Sequence, residues 1–288
     1  MPLRYFGVKE KAAIWAMSLA TGFILILYPV FTGLYVPTPP YFIPLDITSI
    51  NFVLAGMLIS IIGPGVVEYM NYRWVREAER GLATMFGGLA STIRSGLTIT
   101  RGMEVVEEMT SKPLAREIKR TVLRLQMGMD FEEAVRRIGE EYGSPRISMA
   151  NLVLIEAARS GGLIAEVLDS ARKLYETYNE YDDEKATNLK PYGLVLYVSI
   201  FIFIAVSYLL IHQFLVPLVE VTREAGAPFL AMMGSVSYYK ALLYYSSFIE
   251  SLLSGLVIGK LAHGSVKCGL RHSVVLCLAT MLIFNFIV

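Results

Sequence analysis

The chain has 288 residues, of which 55% are apolar and 18% are charged, and its formal net charge is +1. A charge balance this close to neutral gives no indication of a nucleic-acid partner. The two cysteines, Cys268 and Cys277, have neither a disulfide framework nor a metal-binding spacing, so we expect no structural metal and no cofactor.

The apolar residues are concentrated in long runs, which indicates an integral membrane protein. Residues 12–36 carry no charge and exceed the roughly 20 residues that a spanning helix requires. The run is longer than a secretory signal core and no small-residue cleavage site follows it, so we expect a retained anchor. A second run, 50–67, contains Gly63-Pro64-Gly65, where we expect a kink or the exit from the bilayer.

Residues 68–190 form a polar stretch that holds most of the charged residues and has helical periodicity throughout. Within this stretch, helices are predicted to begin near Pro113, Asp130 and Pro145. The helix that begins near Pro145 is predicted to end at a C-cap, Gly161-Gly162. The stretch contains no alternating pattern typical of a β-strand, so we expect about six helices.

Two helices of this stretch each carry an apolar seam, which is a row of mostly apolar residues at 3,4 spacing along one face. The first carries Val75, Ala78, Leu82, Met85 and Leu89, and the last carries Ile164, Val167, Ala171, Leu174, Tyr178 and Tyr181. The second seam suits packing against another helix, in this domain or in a second copy. Pro191 is expected to mark the return to the membrane.

Three apolar runs follow, at residues 192–218, 241–261 and 273–288. The last is short and spans the bilayer only if it takes residues from the preceding loop or the bilayer thins. The sequence therefore predicts an all-α integral membrane protein with about five transmembrane helices. A six-helix cytoplasmic bundle is inserted between the second and third.

This organisation divides the chain into three regions. Residues 1–67 form an N-terminal membrane region with two transmembrane helices, residues 68–190 form the helical domain, and residues 191–288 form a C-terminal membrane region with three. Short segments on one predicted side hold Arg4, Lys9, Lys11, Lys260, Lys267 and Arg271, whereas the opposite side holds Arg223 and Lys240. The positive-inside rule then places the N-terminus and the helical domain in the cytoplasm, and the C-terminus outside the cell membrane.

We find no catalytic or nucleotide-binding motif with a recognisable spacing, and we expect no enzyme activity. Ser251, Gly255 and Gly259 fit close helix packing in lipid. Glu250 is an intramembrane acid, which is either a proton or ion site or a packing or interfacial residue. His212 is the candidate partner on another helix.

Basic side chains collect on one side of the predicted helix that begins near Pro113. They are Arg116, Lys119, Arg120 and Arg124, joined by Arg136 and Arg137 on the next helix. This surface is either a docking face for an acidic partner or a solvated helix face.

Three stretches in this order resemble the type II secretion system F domain. They are Ser95-Gly-Leu-Thr-Ile-Thr-Arg-Gly-Met-Glu-Val-Val-Glu-Glu108, Gly128-Met-Asp-Phe-Glu-Glu-Ala-Val135 and Glu156-Ala-Ala-Arg-Ser-Gly-Gly-Leu-Ile-Ala-Glu-Val-Leu168. The resemblance covers roughly residues 80–272. The tail between Gly255 and His272 is similar to archaeal platform proteins of type IV pili and the archaellum.

The resemblance implies a non-enzymatic membrane platform for assembly of a type IV pilus-like filament or for type II secretion. A hexameric secretion ATPase would contact the helical domain, and pilin subunits would be lifted from the lipid bilayer. Many family members hold two such domains and this chain holds one, which is similar to the tight-adherence C proteins. A homodimer or a pair with a paralogous single-domain platform protein is therefore implied.

A second class of function stays open at this point. A small membrane transporter or channel subunit would use Glu250 as its intramembrane acid. The chain has no internal hydropathy repeat, which disfavours a transporter. A transporter would show substrate-dependent flux that Glu250→Gln abolishes, whereas a platform would show none.

Overall fold

The computed structural model describes residues 5–36, 43–225 and 236–286, apart from the side chains of residues 222–225. Every regular element in those ranges is helical. The α-helices are α1 (Val8–Phe31), α2 (Ile47–Arg94), α3 (Ile99–Met109), α4 (Lys112–Gln126), α5 (Phe131–Arg136), α6 (Pro145–Arg159), α7 (Ile164–Leu209), α8 (Val216–Ala225), α9 (Val236–His263) and α10 (Val266–Phe286). Short 3₁₀ turns lie at Glu140–Tyr142 and Gly161–Leu163, and a π-helical segment at Leu210–Leu215 joins α7 to α8.

Five helical stretches are long and apolar enough to cross a membrane. They are Val8–Phe31, Ile47–Arg94, Gly161–Val221, Val236–His263 and Val266–Phe286. The prediction of an all-α chain with five helices able to cross a membrane is confirmed for the described residues. The cytoplasmic placement of the helical domain stays a prediction. Of the basic residues on which it rests, Arg4 and the side chain of Arg223 lie outside the described part of the chain.

The last span begins earlier than the apolar run predicts. The helix α10 starts at Val266 and is 21 residues long, because it includes the residues of the preceding basic loop. At 1.5 Å per residue, its length is roughly 31 Å, which matches the hydrocarbon thickness of about 30 Å.

The sequence predicts a kink or the exit from the bilayer at Gly63-Pro64-Gly65 and the return to the membrane at Pro191, and the structure shows a helical backbone at both prolines. The helix α2 runs through Pro64, and α7 runs through Pro191. A Cβ added at Gly63 would lie 2.6 Å from Cβ of Ser18, and one at Gly65 would lie 2.9 Å from Cβ of Leu270. The glycines beside Pro64 therefore serve close helix packing, and they do not end the helix.

The described residues separate into two compact units. One comprises Met70–Lys185 with Tyr5, and the other comprises Phe6–Tyr69 and Ala186–Val288. We call them the helical unit and the membrane unit. The helices α2 and α7 each contribute to both units, since their bounds include the two division points.

The helical unit has its own apolar core, to which α2 through α7 contribute. Its fully buried members include Phe86, Leu89, Met103, Leu114, Ile118 and Leu154. Thr98, Asp130 and Ser144 accept backbone hydrogen bonds at the starts of α3, α5 and α6, which defines where these helices begin. Ser111, which precedes α4, donates instead to the carbonyl of Glu77 at 2.9 Å, so it ties α4 to α2.

The seam predicted on the last helix of the domain is only partly buried. Ala171 lies in the core, together with Leu168 and Tyr175. Leu174, Tyr178 and Tyr181 are 45%, 40% and 60% exposed. The core-facing stripe of α7 is therefore displaced from the predicted seam over its second half.

The membrane unit has a separate core, formed by α2, α7, α9 and α10 with the π-helical segment. Leu54, Ile200, Tyr244, Phe248, Leu276 and Phe284 are among its buried members. The rings of Tyr244 and Phe284 stack with their centroids 4.6 Å apart, which ties α9 to α10.

Candidate docking surface and membrane packing sites

The helix α4 has one buried face and one basic face because its sequence alternates with helical periodicity. Leu114, Ile118 and Val122 point into the core of the helical unit. Arg116 and Lys119 lie on the opposite face and are exposed, while Arg120 is partly exposed. The structure therefore places these three basic residues on a common solvent-facing surface.

Most of the predicted basic residues already have carboxylate partners within the helical unit. Lys119 Nζ lies 3.4 Å from Glu107 Oε1, and Arg120 Nη1 lies 2.9 Å from Glu117 Oε1. On α5, Arg136 pairs with Glu132 at 2.6 Å and Arg137 pairs with Glu133 at 2.7 Å. The six predicted residues thus do not form one uncompensated positive patch.

Arg116 and Arg124 differ from the other four. Neither has a carboxylate partner within 4 Å among the described residues. The Nη1 atom of Arg124 is buried and has no hydrogen-bond partner in that part of the chain. Arg116 is exposed, so its charge is available to a partner.

Sequence reasoning missed two exposed apolar residues on the same face. Leu123 is 50% exposed and Met127 is 86% exposed. At 100° per residue, they lie within about 20° of the direction of Arg116, whereas Val122 points away. The signal was present in the sequence, because Leu123 falls outside the stripe of Leu114 and Ile118. We call Arg116, Lys119, Arg120, Leu123 and Met127 the α4 face.

Glu132 connects α5 to α6 through two arginines. Its carboxylate forms ion pairs with Arg136 of its own helix and with Arg159 of α6, the latter at 2.5 Å. The hydrogen bond from Arg136 and the charge of Arg159 lower the pKa of Glu132 against some desolvation. Arg136 is therefore held at the end of α5 by its pairing with Glu132.

A partly buried charge network joins α2, α6 and α7 in the helical unit. Asp182 accepts from Arg146 and lies 2.5 Å from Arg76 Nη2. Glu79 lies 3.4 Å from Arg76 and accepts from the hydroxyl of Ser144 at 2.5 Å. Hydrogen bonding to Asp182 also raises the pKa of Arg146. The network was absent from the sequence prediction because its members are far apart in the chain.

Tyr142 provides a second connection within the helical unit. Its hydroxyl lies 3.3 Å from Glu117 Oε1, and its ring lies 5.2 Å from that of Tyr5. Burial raises the pKa of Tyr142 to about 12. The hydroxyl of Tyr5 donates to the carbonyl of Glu141 at 2.7 Å. Tyr5 is thus held on the helical unit.

Ser251, Gly255 and Gly259 all lie where α9 meets α10. The hydroxyls of Ser251 and Thr280 are 2.6 Å apart. A Cβ added at Gly255 would lie under 3.0 Å from the backbone of Ser273, and one at Gly259 would lie equally close to Gly269. The small residues therefore allow two helix backbones of the same chain to approach closely.

Glu250 lies on α9 and is only partly buried. Its Oε1 accepts from the hydroxyl of Ser199 on α7 at 3.3 Å. His212 is exposed and its contacts are with Tyr208, whose ring it stacks on at 4.5 Å. The structure therefore does not bring Glu250 and His212 together.

Among the described residues, no group of three His, Cys, Asp or Glu side chains is arranged to hold a metal ion. Cys268 and Cys277 are free and buried.

Comparison with known proteins supports the resemblance in the sequence. The family model of the type II secretion system protein F matches residues 88–212, which extend from α2 into the π-helical segment. A curated relative, an uncharacterized protein of Methanocaldococcus jannaschii, is 25% identical over 236 residues. The match covers 82% of this chain, and the chain spans 38% of the length of that relative. No solved structure matches the chain. Residues 88–212 therefore match the type II secretion system protein F family, in a chain with five helices long and apolar enough to cross a membrane.

Proposed function

We propose that this protein is a non-enzymatic platform in the cell membrane for assembly of a type IV pilus-like filament or for type II secretion. The observation that carries the proposal is the F-family match over α2 to α7, in a chain with five apolar helices. The remaining membrane helices would hold the platform in the bilayer.

The helical unit is the part that we assign to the aqueous phase. It has its own core and most of the charged side chains, and we place it in the cytoplasm together with the N-terminus. The contact of Tyr5 with Tyr142 supports placing the N-terminus and the helical unit on the same side of the membrane. The C-terminus would then lie outside.

We assign the α4 face as the docking surface for a hexameric secretion ATPase. Arg116 offers an uncompensated charge, and Leu123 and Met127 offer apolar area beside it. The ion pairs of Lys119 and Arg120 are exchangeable, because exposed pairs contribute only about 0–1 kcal/mol each. A partner with acidic and apolar residues would complement this mixed surface.

The movement of the ATPase would reach the membrane helices through α2 and α7, which the charge network around Asp182 connects. Pilin subunits would be the cargo that is lifted from the bilayer. We further propose that a homodimer, or a pair with a paralogous single-domain platform, completes the assembly. An archaeal pilus or archaellum, or a tight-adherence system, is the setting we favour.

The test is binding of the full-length protein in detergent to the hexameric secretion ATPase of the same cell. One variant reverses Arg116, Lys119, Arg120 and Arg124 to Glu, and a control that changes the net charge half as much reverses the exposed Arg94 and Lys173. We expect the first variant to lose binding and the control to keep it, with a steeper salt dependence for wild type.

Three results are informative. Equal loss in both variants would attribute binding to general charge and remove the α4 face from the proposal. Binding that survives the reversal on α4 would keep the platform and reject this surface. If folded wild-type protein binds no ATPase at any salt concentration, and filaments form without the protein, the platform proposal fails.

A further inference from the structure

An open apolar groove lies between α2 and α10 in the membrane unit. Its volume is about 820 Å³, and its walls include Ala55, Ile59 and Ile62 from α2 and Leu278, Met281 and Leu282 from α10. Leu278 and Leu282 are 44% and 58% exposed. Both helices are membrane-span candidates, so the groove opens toward lipid.

One end of α10 carries two cations on the same side as the groove. At 100° per residue, Lys267 and Arg271 lie within about 60° of Leu278, Leu282 and Asn285. The guanidinium carbon of Arg271 lies 4.3 Å from the centroid of the Tyr69 ring, at the corresponding end of the membrane part of α2. The basic residues are therefore aligned with the groove.

The positive charges of Lys267 and Arg271 are only partly neutralised by nearby carboxylates. Glu68 forms an ion pair with Lys11, and its Oε1 lies 3.9 Å from Lys267 Nζ. Lys267 is 64% exposed, and Arg271 has no carboxylate within 4 Å in the described part of the chain. The Glu68 carboxylate is therefore shared by Lys11 and Lys267, and the charge of Arg271 has no carboxylate partner among the described residues.

The other end of the groove is neutral and already hydrogen-bonded. Asn51 Nδ2 donates to Asn285 Oδ1 at 2.5 Å, and Asn285 Nδ2 donates to Asn51 Oδ1 at 3.0 Å. The hydroxyl of Tyr244 donates to Asn51 Oδ1 at 2.7 Å. A ligand with charge at one end only therefore fits the groove.

The length of the site agrees with one membrane leaflet. Eleven residues separate Arg271 from Leu282, which is roughly 16 Å along a helix at 1.5 Å per residue. Half of a hydrocarbon core about 30 Å thick is roughly 15 Å. An acyl chain along Leu278 and Leu282 would thus end close to the midplane.

We propose that this groove binds an anionic phospholipid. Its phosphate lies against Lys267 and Arg271, and one acyl chain lies along the apolar wall between α2 and α10. A planar guanidinium supplies forked hydrogen-bond donors that match phosphate oxygens, and the ring of Tyr69 orients it. The proposal uses only the membrane unit and does not depend on the platform function.

The test measures lipid binding by the full-length protein in a neutral detergent. Native mass spectrometry and the thermal unfolding temperature are followed as phosphatidylglycerol, phosphatidylcholine or inorganic phosphate is added. We expect adducts and stabilisation with phosphatidylglycerol, weaker effects with phosphatidylcholine, and none with inorganic phosphate, which has no acyl chain for the groove.

Three variants and a control locate the site. Lys267→Gln and Arg271→Gln are each expected to weaken phosphatidylglycerol binding about fivefold, because a Lys or Arg near anionic lipid contributes about 1 kcal/mol. Ala55→Trp fills the groove without changing charge, and it is expected to reduce binding of both lipids. Lys260→Gln removes a charge from α9, which does not line the groove, and is expected to have a smaller effect than Lys267→Gln.

Equal effects of both lipids on wild type would overturn the proposal, as would an equal loss of binding in Lys260→Gln. If Ala55→Trp keeps lipid binding but loses co-purification of a membrane-helix partner, the groove is a protein interface and the lipid proposal is wrong. The unfolding temperature of each lipid-free variant verifies its fold, and Lys267→Gln, on an exposed side chain, remains usable if Ala55→Trp does not fold.

Discussion

Gly259 on α9 and Gly269 on α10 are in backbone contact. A Cβ added at Gly259 would stand under 3.0 Å from the Cα of Gly269, a distance that real Cβ atoms essentially never show. One turn earlier on α9, Gly255 faces Ser273 in the same way. The two helices of the hairpin therefore pack with no side chain between them at these levels, which van der Waals contact favours in lipid.

We expect Gly259→Ala to destabilise the protein by about 1–3 kcal/mol, since a methyl group in a packed interface forces the backbone to move. The thermal unfolding temperature in detergent measures the effect. Gly193→Ala is the matched control, because a Cβ there would meet Ile258 at an ordinary 3.8 Å. Equal unfolding temperatures for the two variants would show that the close approach is wrong.

We expect Asp182→Asn to destabilise the helical unit by about 1.5–3 kcal/mol, the usual range for hydrogen bonds to charged groups. Its carboxylate serves both Arg76 and Arg146 and is largely buried. The adjacent Asp183→Asn breaks an exposed pair with Arg80 and should cost less than about 1 kcal/mol. The measurement is amide hydrogen exchange in α2, α6 and α7 of both variants. Equal protection of these helices in the two variants would contradict a stabilising role of the Asp182 network.

If the α4 face binds through its apolar residues as well as its charges, Leu123→Ser with Met127→Ser should weaken ATPase binding at every salt concentration. No charge is altered, so the slope of affinity against salt should stay that of wild type. Met149→Ser, at a residue of α6 that is 57% exposed, is the control. A changed salt slope would mean that the variant disturbs the basic residues indirectly.

The pKa of Glu132 should lie below its ordinary value of 4.5, since Arg136 and Arg159 stabilise the charged form. A lowered pKa contributes stability above the unfolded-state pKa, and that contribution is lost as pH falls through the folded-state value. Carboxyl NMR of residues 70–185 measures the pKa directly. Arg159→Gln should raise it, whereas Arg137→Gln, which affects Glu133, should not.

Glu250→Gln separates the platform from a transporter. The amide keeps a hydrogen-bonding group beside Ser199 and removes a charge from an apolar helix, so we expect unchanged or slightly higher stability. Filament assembly should continue, and reconstituted vesicles should show no flux with either protein. Substrate flux that Glu250→Gln abolishes would favour the transporter and weaken the platform proposal.

Local patterns in the amino-acid sequence are enough to predict the class of this protein and most of its helices. Five spans, the helix starts at Asp130 and Ser144 and the core positions Leu82 and Leu89 follow from local patterns. Capping and helical periodicity act within a few residues, so they can be read along the chain.

Whether a proline interrupts its helix, and which carboxylate an arginine pairs with, depend on the tertiary structure. Pro64 and Pro191 lie inside continuous helices, although an isolated segment would be expected to break or kink there. Arg120 and Arg136 are paired within the helical unit and do not form one open basic patch. Ion pairing depends on where neighbouring helices place their carboxylates, and the order of residues does not contain that distance.

The same reason applies to the groove and to the α9–α10 hairpin. The spacing of Gly255 and Gly259 indicates a close contact, but only the fold identifies Ser273 and Gly269 as the residues they meet. Lys267 appears in the sequence as part of a loop, and the structure places it in α10, which begins at Val266 and lines the apolar groove together with α2. Helical period is a local property, whereas the neighbour of each helix face is set by the packing of the whole unit.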